Sequence, residues 1–171
     1  MKNRDYTKDK NGLEKMRELI DAPKTVMLIT GLNKKPLSVC PMTLQQIDEQ
    51  GELWFFTSKQ SDHFNDIDYN NKVQIVYADE AKNRYISIYG NATHIEDNTK
   101  LNELWKPELS HWFKGGKDDE NLALMCVNME DAYYWDGQDQ KRVYVLEMAE
   151  DSMGFVHETN SEKGYVNLHN H

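Results

Sequence analysis

A chain of 171 residues can bury one hydrophobic core but is short for two domains and a linker, so one domain over 1–171 is expected, with a core over 13–149 and a polar tail over 150–171. The formal charge of −9 and the pI near 5.1, with no Lys/Arg block, set up a field that repels nucleic acid and anionic lipid, which argues against both as partners. No stretch approaches the roughly 20 apolar residues of a membrane span, and Met1-Lys2-Asn3-Arg4-Asp5 leads into no apolar signal region, so a cytoplasmic location is expected.

Leu13, Met16, Leu19 and Ile20 recur at helical spacing in a charged stretch that Pro23 ends, which predicts an amphipathic helix. The β-branched and apolar run Thr25–Thr30 predicts a strand, closed by Gly31 and the polar residues up to Pro36, and a second strand is expected over Leu37–Leu44. Asp48-Glu49-Gln50-Gly51 is a turn signal leading into Glu52–Thr57, so these two strands should form an antiparallel hairpin. Trp54 to Phe56 reads as buried on both faces. A short helix is expected within Ser58–Asn71, with Ser58 or Ser61 as its N-cap.

Lys72–Ala78 and Arg84–Ala92 follow as strands, the second alternating aromatic or polar with aliphatic residues. A helix over Asp97–Trp105 should end or bend at Pro107. Leu122–Met129 and Val143–Met148 read as further strands with Tyr134-Trp135-Asp136-Gly137 between them, and the residues after Ser161 as loosely ordered. With hairpin-linked strands and no crossover helices, the order suits a mainly β fold with flanking helices: an antiparallel barrel, closed or nearly so, with helices over its ends.

Several chemistries find no local signal. Cys40 and Cys126 are the two cysteines, without CxxC spacing, which disfavours a disulfide framework or a thiolate zinc site. His157, His169 and His171 form no HxxxH or HExxH spacing, and no metal site is expected. There is no GxSxG elbow, P-loop or GxGxxG. Asp118-Asp119-Glu120 reads as a solvated acidic turn. Thr57-Ser58-Lys59-Gln60-Ser61 is different: hydroxyls and orphan amides between a strand and a helix can hold an anion, or can simply cap the helix.

In order along the chain, Pro41-Met42-Thr43, Gly51–Thr57, Ser61 ahead of a helix and Tyr85–Ala92 resemble the core of the general stress protein 26 group. That group lies among the pyridoxamine-phosphate-oxidase-like split barrels that bind flavin mononucleotide (FMN). Glu103-Leu104-Trp105, Trp112-Phe113-Lys114-Gly115-Gly116, Asp118-Asp119 and Tyr134-Trp135-Asp136 are similar to its later signature.

The resemblance implies an antiparallel split β-barrel, a homodimer with FMN at its interface, and an FMN-dependent oxidoreductase with no catalytic residue assigned; the alternatives are a non-catalytic flavin-binding stress protein or a dimer that has lost the cofactor. Pyridoxamine-phosphate oxidation itself is disfavoured, because Val166–His171 holds no Arg-His-Arg type segment. The implied cofactor contacts are Cys40, Pro41, Met42, Phe56, Thr57, Ser58, Ser61, His63 and Trp112. Trp112 would close over the ring system, and Trp105, Tyr134 and Trp135 would pack in the core or the dimer interface. The group commonly has Arg where this chain has Cys40 and Lys where it has His63. Lys34, Lys35 and Lys59 are the candidate substitutes.

Overall fold

The structure, a computed structural model, describes residues 10–137 and 162–167. It runs α1 (Lys10–Leu19), β1 (Lys24–Thr30), β2 (Ser38–Ile47), β3 (Glu52–Ser58), α2 (Asp62–Tyr69), β4 (Lys72–Asp79), β5 (Arg84–Ile95), α3 (Asn98–Leu104), short 3-10 turns over Pro107–His111 and Gly116–Asp118, β6 (Leu122–Asp136) and β7 (Glu162–Asn167). Every sheet pairing is antiparallel, in the order β3-β2-β1-β4-β5-β6-β7, and β3 also pairs with β6. That extra pairing closes β1 to β6 into a barrel, the antiparallel split β-barrel expected.

Alternation explains the wall. Val26 and Leu28 of β1, Val73 and Ile75 of β4, and Ile86 and Ile88 of β5 point inward and are almost wholly buried. Leu13, Met16, Leu19 and Ile20 of the adjoining α1 segment join this core. The hairpin turn between β2 and β3 depends on Gly51, whose φ of +77° favours glycine; a Cβ there would meet Leu13 at 2.2 Å. β3 is buried on both faces because its outward residues Trp54 and Phe56 lie in a second cluster with Leu122, Leu124 and Cys126 of β6, covered by Leu104 and Phe113. At roughly 1.5–3 kcal/mol for each large side chain buried, this outer layer anchors α3 and the turn after it.

The structure departs from the sequence reading at three places. β2 continues past Leu44 to Ile47, through a register shift between Leu44 and Gln46. Tyr134-Trp135-Asp136 is not a connection but the end of the 15-residue β6, because pairing with β5 continues to Arg84 opposite Asp136 and Tyr134 and Asp136 stay buried. Glu162–Asn167, expected to be loosely ordered, pairs with Asp131–Asp136 as β7. The strand expected over Val143–Met148 lies outside the described residues.

Candidate functional site

A cavity of about 250 Å³ opens between β2, the end of β3, the first turn of α2 and the segment after α3. Pro41, Met42, Thr43 and Gln45 of β2 line it, with Phe56, Thr57 and Ser58 of β3, His63 of α2, and Leu109, Trp112 and Phe113. The lining therefore combines apolar and aromatic side chains with hydroxyls, an amide and an imidazole. That mixture suits a flat apolar ligand with a polar or anionic group.

The polar end is fixed by how α2 begins. Ser61 is the N-cap: its hydroxyl donates to the Ser58 carbonyl (2.7 Å) and accepts from the Phe64 amide (3.3 Å). His63, one residue into the helix, is thereby turned back over β2 and β3. Its Nε2 lies 2.5 Å from Thr57 Oγ1 and 3.1 Å from Ser61 Oγ, and its Nδ1 lies 3.4 Å from Cys40 Sγ. In a neutral ring one nitrogen donates and the other accepts, so His63 links the Thr57 and Ser61 hydroxyls to the Cys40 thiol.

Both partners are held uncharged. Burial pushes the His63 pKa below the usual histidine value, the nearby His94 adds to this, and Asp66 and Asp62 oppose it. Burial pushes the Cys40 thiol up, so no thiolate is prepared for attack. The adjacent carboxylate is already engaged: Asp66 accepts from Lys34 Nζ (2.7 Å) and from the Thr30 hydroxyl (2.9 Å).

Seven of the nine residues singled out by resemblance therefore surround one cavity: Pro41, Met42, Phe56, Thr57, Ser58, His63 and Trp112. Cys40 and Ser61 do not line it and reach it through His63. Lys34, a candidate substitute cation, is bound to Asp66, and among the described residues the cavity lining includes no Lys or Arg. Thr43, Gln45, Leu109 and Phe113 were not singled out; the first belongs to the quoted Pro-Met-Thr run and the last follows Trp112, whereas the register shift that brings in Gln45 has no signature in sequence.

Trp112 stands 82% exposed at the cavity wall. Tyr134 is in the barrel core, Trp105 meets Phe56 edge-on at 5.7 Å, and Trp135 stacks on Tyr133. Asp119 bonds the Gly115 and Asn121 amides, which holds its carboxyl below the usual range and identifies the acidic run as a turn.

Residues 11–155 match the family described as pyridoxamine 5'-phosphate oxidase like. The chain belongs to that family. General stress protein 26 from Bacillus anthracis str. Sterne is 29% identical, with a TM-score of 0.63 over 71% of this chain and 92% of the other. The general stress FMN/FAD binding protein from Xanthomonas citri is 27% identical, with a TM-score of 0.65 over 81% and 97%. A protein from Clostridium acetobutylicum related to general stress protein 26 shares the fold at 21% identity, with a TM-score of 0.61 over 77% and 92%. No curated protein matches. Among the described residues, no helix is long and apolar enough to cross a membrane.

Proposed function

We propose that this member of the pyridoxamine 5'-phosphate oxidase-like family is a stress-related, FMN-binding oxidoreductase of the cytoplasm that works as a homodimer. The observation that carries the reading is the mixed lining of the cavity. Met42, Phe56, Leu109, Trp112 and Phe113 offer apolar surface for a flat ring system, and Thr57, Ser58 and His63, grouped where β3 leads into α2, offer polar groups for a phosphate. The resemblance to a structure described as an FMN/FAD binding protein supports the same ligand class. A bound flavin supplies electron and hydride transfer, and the chain's part is to hold the ring, exclude water and satisfy the polar end.

Two observations support the dimer. The cavity, at about 250 Å³, is below the roughly 300–1,000 Å³ of complete small-molecule pockets. Next to it, Pro41, Met27 and Val76 lie opposite one another across β2, β1 and β4 as an exposed apolar row, with Val39 exposed on the same outer face. Pro41 belongs to both the row and the cavity, so a second copy seated on this face would also wall the flavin site.

A second reading, flavin storage without turnover, is favoured by the neutral state of Cys40 and His63, which prepares no acid–base or nucleophilic pair at the cavity. The deciding experiment is denaturation of freshly purified protein and mass spectrometry of what is released. FMN is expected; a ligand without an isoalloxazine ring overturns the flavin reading. Bleaching of the flavin absorbance by NAD(P)H, with recovery in air, then separates turnover from storage.

A further inference from the structure

We propose that His63 is the specificity-determining residue of this site, making a flavin with a phosphate monoester bind together with a proton while a flavin without phosphate binds without one. The inference rests on the flavin reading above and adds how the polar end of the site selects its ligand.

The geometry leaves one group able to become a cation at the cavity. Among the described residues, His63 is the only Lys, Arg or His in the lining. β2 presents the Cys40 thiol and β3 the Thr57 hydroxyl, both uncharged. β5 contributes His94, which stacks on Phe64 at 3.7 Å, has its own pKa lowered by burial, and lowers that of His63. From α2 itself come Asp62 and Asp66, and Asp66 is occupied by Lys34. Burial and His94 outweigh the two carboxylates, so His63 is neutral in the unliganded protein near neutral pH.

A phosphate monoester carries a charge of about −1.5 to −2 near neutral pH. Moving it beside neutral donors costs free energy that one protonation can offset, since an anion in contact favours the charged imidazole. The network accommodates the proton: with both ring nitrogens protonated, Nε2 can donate to the Thr57 and Ser61 oxygens and Nδ1 to the Cys40 sulfur, a weak acceptor. Riboflavin, which has the same ring and no phosphate, has no such demand.

Flavin fluorescence quenching in the full chain tests this, with FMN and riboflavin titrated in parallel from about pH 6 to about pH 8, the range in which histidine changes charge. FMN affinity should fall with rising pH by up to about tenfold per unit, the limit for uptake of one proton. Riboflavin affinity should stay flat. His63→Lys should hold FMN with little pH dependence, and His63→Gln should weaken FMN toward riboflavin and flatten its pH profile. Equal and flat pH profiles for the two flavins in the unmodified protein overturn the role of His63 and leave the flavin reading standing. Failure of both flavins to bind at every pH overturns that reading, and this inference with it.

Discussion

At the scale of single residues, the barrel depends on places where no side chain fits. Gly90 pairs with Met129 just where the β5–β6 register shifts, and a Cβ on it would lie 2.3 Å from the Asn128 carbonyl oxygen. The skipped residue, Glu130, is held by Lys72 (2.9 Å) and by Asn91, so the irregularity is a built feature. Backbone oxygen cannot rotate away as a side chain can. Gly90→Ala should therefore destabilise the fold by about 1–3 kcal/mol, the range for overpacking, read as a lower urea midpoint. An unchanged midpoint would show that β6 shifts freely at this point. Glycine in Tyr89-Gly90-Asn91 was visible in the sequence, but the oxygen it makes room for is on another strand, and no local pattern points to it.

At the scale of elements, strands with clear alternation were legible, and contacts between elements were not. β5 shows why: aliphatic residues at every second position produce the same inward row in any barrel. The end of β6 was missed because Tyr134-Trp135-Asp136-Gly137 carries the composition of a turn, while its pairing with β5 is decided by a partner far away in sequence. In the site, Thr57 and Ser61 could be selected from the strand-to-helix junction. That Cys40 touches His63 could not, since 23 positions separate them and only the packing of α2 over β2 joins them.

The same helix is tied to the turn after β1 by Lys34 and Asp66, and the sign of its pH dependence follows. The hydrogen bond from Lys34, with those from Ser38 and Thr30, lowers the Asp66 pKa in the folded protein against the opposing effect of burial. A lowered carboxylate pKa contributes stability above the unfolded value of about 3.9 and loses it as pH falls through the folded value. Lys34→Ala should raise the folded pKa, move acid unfolding to higher pH and cost no more than about 1 kcal/mol at neutral pH, because Lys34 is half exposed. Tryptophan fluorescence during acid titration measures it; coincident curves would mean that the two hydroxyls suffice to hold Asp66.

At the scale of the whole molecule, the uneven outer surface of the barrel is the informative feature. The β3–β6 side is sealed by α3 and the following turn, while on the β2-β1-β4 side Met27, Val39 and Val76 stay 38–54% exposed. A covered side next to an uncovered apolar one is what a barrel shows when a second molecule supplies the missing layer. Met27 sits at the centre of that row, paired with Pro41 on one side and Val76 on the other. Its exposure means that Met27→Asp should leave the isolated protomer folded, with unchanged circular dichroism, while placing an unpaired carboxylate in the proposed dimer contact. Sedimentation should then show a dissociation constant raised at least about tenfold, near 1.4 kcal/mol. Flavin affinity should fall in parallel, since Pro41 links the contact to the cavity. A variant that remains dimeric and keeps its flavin would place the partner on another face and make the site the property of one protomer.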